Sequence, residues 1–372
     1  MPGFGDTLSN FVRYRKQFKA MGRSIGGLSP DSDLVETADF GTNPGNLRMQ
    51  SFVPDHLPPS APLVVVLHGC TQTAAGYDYG AGWTHLAAQF GFAVLLPEQQ
   101  RANNSNLCFN WFLPKDTQRD HGEVSSIKQM IDRMLLDHGL DPKRVFVTGL
   151  SAGGAMTSAL LACYPETFAA GAIIAGLPYG CATNTQEALA CMFQGGDRTG
   201  RIWGDMVRSA SSHTGPWPRI SVWHGSADAT VKPTNAAEIV KQWIDVHGAS
   251  TEPSVTGKVS GFPHRVWMLG GEPVVEAYSI TGMAHGTPID PTAEDPADRC
   301  GVAGPHILDV GISSTAIIAR SWGLLTSRVA EATPVRPRPG REAKAAPPPP
   351  KRFDVGEVIN KALRAAGLMG PK

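Results

Sequence analysis

The sequence predicts a doubly wound α/β protein: a mostly parallel sheet with helices on both faces. Three observations predict it. Residues 62–67 and 92–96 are near-continuous apolar runs of strand length, as expected of parallel strands covered on both sides. Runs of this kind alternate along the chain with segments of helical periodicity. A third run, residues 144–148, passes through Gly149-Leu150-Ser151-Ala152-Gly153 into the small-residue stretch 154–159, which reads as strand, tight turn and helix.

Residues 31–62 are rich in Pro, Asn, Gly and Asp, with an edge strand expected at 47–53. The strand at 62–67 is followed by a helix near 80–89, a second strand at 92–96 and a long aromatic loop over 98–122. A helix spans 124–138, with Ile127, Met130, Ile131, Met134 and Leu135 on one face. After the glycine-flanked turn come strands at 169–175 and 220–223, then a helix over 235–247 that stops at Gly248. Residues 266–269 and 274–280 read as paired strands, and a last helix covers 312–325. Four parts are expected: a lead-in with an amphipathic helix (1–46), the α/β domain (47–328), a Pro-rich linker (329–352) and a short amphipathic helix (353–372).

Composition narrows the function. Lys plus Arg and Asp plus Glu are equal at 33 each, so no net field favours nucleic acid or an anionic membrane. No apolar run approaches the ~20 residues of a bilayer span. The N-terminus is basic but lacks a continuous apolar stretch, so it does not read as a secretory signal. The six cysteines contain no C-x-x-C pair, which argues against structural zinc.

The turn around Ser151 carries the chemistry. A serine hydroxyl is a weak nucleophile unless geometry helps it, and glycines two residues either side let a strand fold sharply back into a helix. On such a sheet the partners follow in a fixed order, with the oxyanion loop first, then serine, acid and histidine. His68-Gly69-Cys70-Thr71-Gln72 follows the first strand, so the backbone N–H of Cys70 would converge with that of Ala152 on a developing oxyanion. Thr71 is the competing donor if the turn is one residue tighter, and His68 reads as structural. Asp228 lies just past the strand at 220–223, at the carboxyl edge where open α/β sheets place their sites. It is preferred to Asp197 and Asp205, which have no clear strand before them. His285, in a loop flanked by Gly282 and Gly286, is preferred to His247 and His264, with His306 as the fallback. The expected chemistry is acyl transfer from an ester through a covalent intermediate on Ser151, without metal or organic cofactor.

These segments, together with Cys108-Phe109-Asn110-Trp111-Phe112, resemble the polyhydroxybutyrate-depolymerase family of esterases, related to the feruloyl and acetylxylan esterases. The resemblance covers about residues 47–325. It implies an α/β-hydrolase fold, the triad Ser151, Asp228 and His285, and a bridge between Cys70 and Cys108, two free buried thiols being the other reading. It also implies substrate contacts at Trp111, Asn110 and Thr71. Secreted polymer-degrading relatives carry a signal peptide and a polymer-binding domain, so short-chain esters or soluble hydroxyalkanoate oligomers are the expected substrates. Feruloyl or acetyl esters of plant polysaccharide are the alternative, and a non-catalytic binding protein on the same core is a reading of another class. Family habit implies an extracellular protein and the N-terminus a cytoplasmic one; oligomeric state is left open.

Overall fold

A computed structural model describes residues 32–325. The expected N-terminal helix, Pro-rich linker and C-terminal helix lie outside the described residues. The chain divides into two units, Met1–Val329 and Ala330–Lys372, and the described residues all belong to the first.

Ten strands form one sheet: β1 (Val35–Thr37), β2 (Arg48–Phe52), β3 (Leu63–Leu67), β4 (Ala93–Glu98), β5 (Val145–Leu150), β6 (Ala170–Ile174), β7 (Arg219–Gly225), β8 (Val255–Val259), β9 (Phe262–Leu269) and β10 (Glu272–Ile280). Their order is β1-β2-β4-β3-β5-β6-β7-β10-β9-β8. The central run from β4 to β10 is parallel, while β1, β2, β9 and β8 pair antiparallel at the two ends. A small parallel pair, β11 (Thr287–Ile289) with β12 (Ile307–Asp309), lies outside the main sheet.

β3 shows why the central strands read as unbroken apolar runs. Leu63, Val65 and Leu67 enter one core with Ile127, Met130 and Met134 of the helix Gly122–His138 and Met156 and Leu160 of the helix Ala152–Cys163. Val64 and Val66 enter the opposite core with Leu86, Ala87, Ile312 and Ala316. Each such side chain contributes about 1.5–3 kcal/mol when taken from water, so both faces must be covered.

Several boundaries differ from expectation. The strand expected as an edge at 47–53 is β2, which β1 covers through the register Val35 to Ser51. The helix expected near 80–89 is two, Ala74–Ala81 and Trp83–Phe90. Gly82 breaks it with φ 79°, and a Cβ there would collide with the Cys300–Gly301 backbone. The last helix is shorter, Ser314–Ser321. Helices Thr185–Gln194 and Gly200–Ser209 and strand β8 had no expected counterpart.

Candidate active site

Ser151 sits between the end of β5 and the helix Ala152–Cys163 with φ 59° and ψ −116°, a conformation L-residues seldom adopt. The elbow is held by Ser151 N–H donating to the Ile174 carbonyl and Ser151 O accepting from Ala155 N–H, both at 2.9 Å. Its two glycines are sterically required. A Cβ on Gly149 would lie 2.5 Å from the Gly153 backbone, and one on Gly153 would strike the Leu67 carbonyl at the end of β3.

The turn expected to hold the oxyanion follows β3. Its own hydrogen bonds run from Gly69 N–H to Gln72 Oε1 (2.8 Å), Thr71 N–H to Asn106 O (2.6 Å) and Gln72 N–H to Gly69 O (3.3 Å). The Thr71 amide is therefore committed, and Cys70 N–H is the one the turn leaves unspent. Ala152 N–H, in the first turn of its helix, has no intrahelical acceptor and lies at the positive end of the helix dipole. His68 is structural: Nδ1 faces Gly69 O at 2.8 Å and Nε2 accepts from Gln99 N–H at 3.1 Å. Burial pushes its imidazole toward the neutral form against the Gly69 contact.

Asp228 and His285 come from neighbouring strand ends. Asp228 follows β7 and His285 follows β10, and the two loops are stitched together. Gly282 N–H donates to Ser226 Oγ (2.8 Å), Ala227 N–H to Met283 O (3.0 Å) and Ser226 N–H to Ile280 O (3.0 Å). A side chain on Gly225 would collide with the Met283 and Ala284 carbonyls, so glycine is needed for this approach. His285 Nδ1 lies 2.7 Å from Asp228 Oδ2, so Nε2 is the ring nitrogen turned away from the carboxylate. Asp228 Oδ1 accepts from Thr230 N–H (2.8 Å) and Val231 N–H (2.9 Å). Burial opposes its ionisation, but hydrogen bonds from His224 and His285 outweigh it and hold the carboxyl well below the usual range.

Ser151, His285, Cys70 and Ala152 line one cavity of about 360 Å³. Trp111 lines it too, edge-on to Phe112 with centroids 5.3 Å apart. Facing them are Leu177 and, from the helix Thr185–Gln194, Ala188, Leu189 and Met192. Asn103 to Asn106 give the cavity a polar rim. Cys70 and Cys108 are disulfide-bonded, with Cα atoms 4.2 Å apart, which ties the Trp111 loop to the oxyanion turn.

Two residues expected to touch substrate do not line the cavity. Asn110 is buried behind its wall, donating from its backbone and Nδ2 to Glu123 (both 2.8 Å) and accepting from Asn104 Nδ2 (3.0 Å). It reaches the cavity only through Asn104. Thr71 supports the turn through Asn106 instead. Sequence reading missed the helix Thr185–Gln194, although Asn184 three residues before Glu187 is a capping signal; Asn184 Oδ1 accepts from Glu187 N–H at 3.0 Å. Missed as well were Phe112, Leu177 and Val231, which no spacing rule marks, and a cavity position for His306, whose Nδ1 lies 3.1 Å from the His285 carbonyl. Among the described residues no group of three or more His, Cys, Asp or Glu could hold a metal ion, and no helix is long and apolar enough to cross a membrane.

The chain is similar to several known proteins. The family model described as "Esterase PHB depolymerase" matches residues 53–257. Poly(3-hydroxyalkanoate) depolymerase C of Paucimonas lemoignei is 51% identical over 294 residues, covering 78% of this chain and 70% of the relative. An acetylxylan esterase of Coprinopsis cinerea is 36% identical, covering 70% of each. Feruloyl esterase B of Thermothelomyces thermophilus is 33% identical, covering 68% of this chain and 88% of the relative. Among solved structures, an acetyl xylan esterase from Aspergillus awamori superposes with a TM-score of 0.64 at 29% identity, covering 68% of this chain and 94% of that one. With the parallel sheet, the elbow and the ordered loops, these similarities place the chain in the esterase PHB depolymerase family, as a carboxylic-ester hydrolase on an α/β-hydrolase fold.

Proposed function

We propose that residues 47–328 form a catalytic domain that cleaves short-chain or hydroxyalkanoate oligoesters through an acyl-enzyme intermediate on Ser151. His285 Nε2 takes the Ser151 proton as Oγ attacks the ester carbonyl. Asp228 fixes the ring tautomer through Nδ1 and stabilises the imidazolium. The Cys70 and Ala152 N–H groups hold the oxyanion, a contribution of about 3–4 kcal/mol per donor to the barrier. The tetrahedral adduct collapses as the C–O bond breaks, and the leaving alkoxide takes the proton from His285. Water repeats the sequence, giving its proton to His285 and releasing the carboxylic acid and free Ser151.

The observation that carries this reading is the 2.7 Å His285–Asp228 contact beside a serine forced to positive φ, with serine and imidazole on one cavity. The cavity supports the substrate class. An apolar face of Trp111, Leu177, Leu189 and Met192 suits an acyl chain, and the Asn103 to Asn106 rim suits hydroxyl and ester oxygens along an oligomer. The similarity to the Paucimonas depolymerase favours hydroxyalkanoate over acetyl or feruloyl esters.

The test compares 3-hydroxybutyrate oligomers, p-nitrophenyl butyrate, acetylated xylan and methyl ferulate on one preparation, with Ser151→Ala as control. Highest kcat/KM on the oligomers, lost by a factor on the order of 10⁴–10⁶ in the variant, is the expected result. Preference for methyl ferulate or acetylated xylan would move the substrate to polysaccharide esters. Retained turnover in Ser151→Ala, or failure of a fluorophosphonate to label Ser151 in folded protein, would remove the serine mechanism.

A further inference from the structure

His224 is the last side chain of β7 before the glycine that admits the His285 loop, and it has no part in the mechanism above. It is 3% exposed. Its Nε2 lies 2.9 Å from the Val231 carbonyl and 3.2 Å from Asp228 Oδ2. Both neighbours are acceptors, so Nε2 carries the hydrogen and shares it between them. Nδ1 is buried with no hydrogen-bond partner among the described residues, so Nε2 is the ring's one bonded atom there. Those contacts describe an imidazole fixed as an Nε2 donor.

Asp228 Oδ2 therefore sits between two imidazoles. His285 Nδ1 approaches at 2.7 Å and His224 Nε2 at 3.2 Å, while Oδ1 is filled by the Thr230 and Val231 amides. The same His224 hydrogen also holds the Val231 carbonyl, so one side chain spans the loop that begins at Gly225 and re-enters the cavity wall at Val231. The titratable groups around the carboxylate are His224 from β7 and His285 from the loop after β10; His306 lies beyond, edge-on to His285 at 5.7 Å.

We infer that His224 is a positioning residue for the ester-cleaving reaction: a fixed donor that holds the Asp228 carboxylate and withdraws part of its charge from His285. The inference rests on the assignment of Ser151, Asp228 and His285 as the reacting set. Its consequence has a definite sign. Without the His224 donor, Asp228 Oδ2 carries more charge toward His285 and holds the imidazolium more tightly. The free base needed to activate Ser151 then forms only at higher pH, and the carboxylate is free to rotate out of line.

Two substitutions separate this role from mere packing. In His224→Gln the side-chain amide nitrogen can take the place of Nε2 and still donate, whereas His224→Leu fills the space without a donor. kcat and KM for p-nitrophenyl butyrate are measured from pH 5 to 9, normalised to Ser151 labelled to completion by a fluorophosphonate, alongside Tm. In the Leu variant kcat should fall roughly 10–100-fold, as for loss of a hydrogen bond to a charged group, with KM little changed and the acid limb displaced to higher pH. The Gln variant should recover most of kcat and the original limb. A folded, fully labelled Leu variant with parental kcat and acid limb would overturn the inference, as would a Gln variant no better than Leu. If the Leu variant does not fold, His224→Asn replaces it, because that amide reaches only the Nδ1 position. Equal kcat in Asn and Gln would then overturn the inference, and a Gln variant well above Asn would support it. Error in the underlying assignment would show separately, as turnover surviving in Ser151→Ala or Asp228→Asn.

Discussion

Two regions meet at the cavity and are built by different means. The proposed reacting row of Ser151, Asp228 and His285 hangs from the carboxyl ends of β5, β7 and β10, and backbone groups hold it there. Ser151 N–H is bonded to the end of β6, and the acid and histidine loops exchange three hydrogen bonds across their bases. The opposite wall, Asn103 to Phe112 and the helix Thr185–Gln194, lies off the sheet and is tied down mainly by side chains. These include the Cys70–Cys108 disulfide, Asn110 on Glu123, and Asn235 Nδ2 on the Cys191 carbonyl at 2.9 Å. Chemistry is thus fixed by the sheet and selection by attachments to it. Side chains of the wall can change without moving the row, whereas nearly any change in the row changes the reaction.

The largest expected effect comes from breaking the row. Asp228→Asn keeps the shape but removes the charge that stabilises the His285 imidazolium and favours the wrong tautomer, so kcat should fall by about 10⁴. Because the wall is untouched, the loss should be the same factor on acetyl, butyryl and hexanoyl esters of p-nitrophenol. A loss that varied strongly with chain length would mean that row and wall are not separable in this way.

A smaller effect should come from the wall. Leu189→Ala and Trp111→Ala each enlarge the apolar face opposite Ser151. Hydrophobic pockets discriminate by about 10–200-fold per methylene at most, so a shift of about tenfold in the hexanoyl-to-acetyl ratio of kcat/KM is expected for each. Activity on the acetyl ester should stay within about threefold, because the reacting groups do not move. An equal fall on all chain lengths would place these side chains in support of the row instead.

The same division explains what the sequence made legible. The row could be read because each member sits in a short glycine-punctuated turn after an apolar strand, and the glycines answer to close contacts: Gly149 on Gly153, Gly153 on Leu67, Gly225 on Met283. The order of such turns along a parallel sheet leaves few choices. The wall was harder. Adjacency to Trp111 suggested that Asn110 faces substrate, but neighbouring loop residues turn opposite ways and Asn110 faces Glu123. Met192 lines the cavity through a helix 41 residues from Ser151 in sequence, and no local pattern says which face of that helix turns inward. His224 was visible only as part of the turn before Asp228, since a shared carboxylate oxygen is a fact of three-dimensional proximity.

The smallest effect concerns the carboxylate beneath the wall. Glu123 is 1% exposed and accepts from Gln99 Nε2 (2.6 Å), Asn110 Nδ2 and Asn110 N–H (both 2.8 Å). Burial, then the nearby Asp116, push its carboxyl up to about 8 against those donors. Asp78, buried beside Thr84 in a separate part of the fold, is likewise pushed up by burial to about 6. A carboxyl raised on folding keeps its proton longer in the folded chain, so its contribution to stability is present below about pH 4.5 and lost as pH rises through the folded value. Glu123 therefore lowers Tm progressively between about pH 5 and 8, and Asp78 up to about pH 6. The imidazoles of His68, His247 and His306, pushed down by burial, act with the opposite sign below about pH 6.5. Glu123→Gln keeps the shape without the titration and should remove that decline across pH 5 to 8, a matter of a few degrees, read most cleanly above about pH 6.5 where the imidazoles no longer contribute. Scanning calorimetry at half-unit pH steps checks this, and an unchanged upper slope in the variant would assign it to groups other than Glu123.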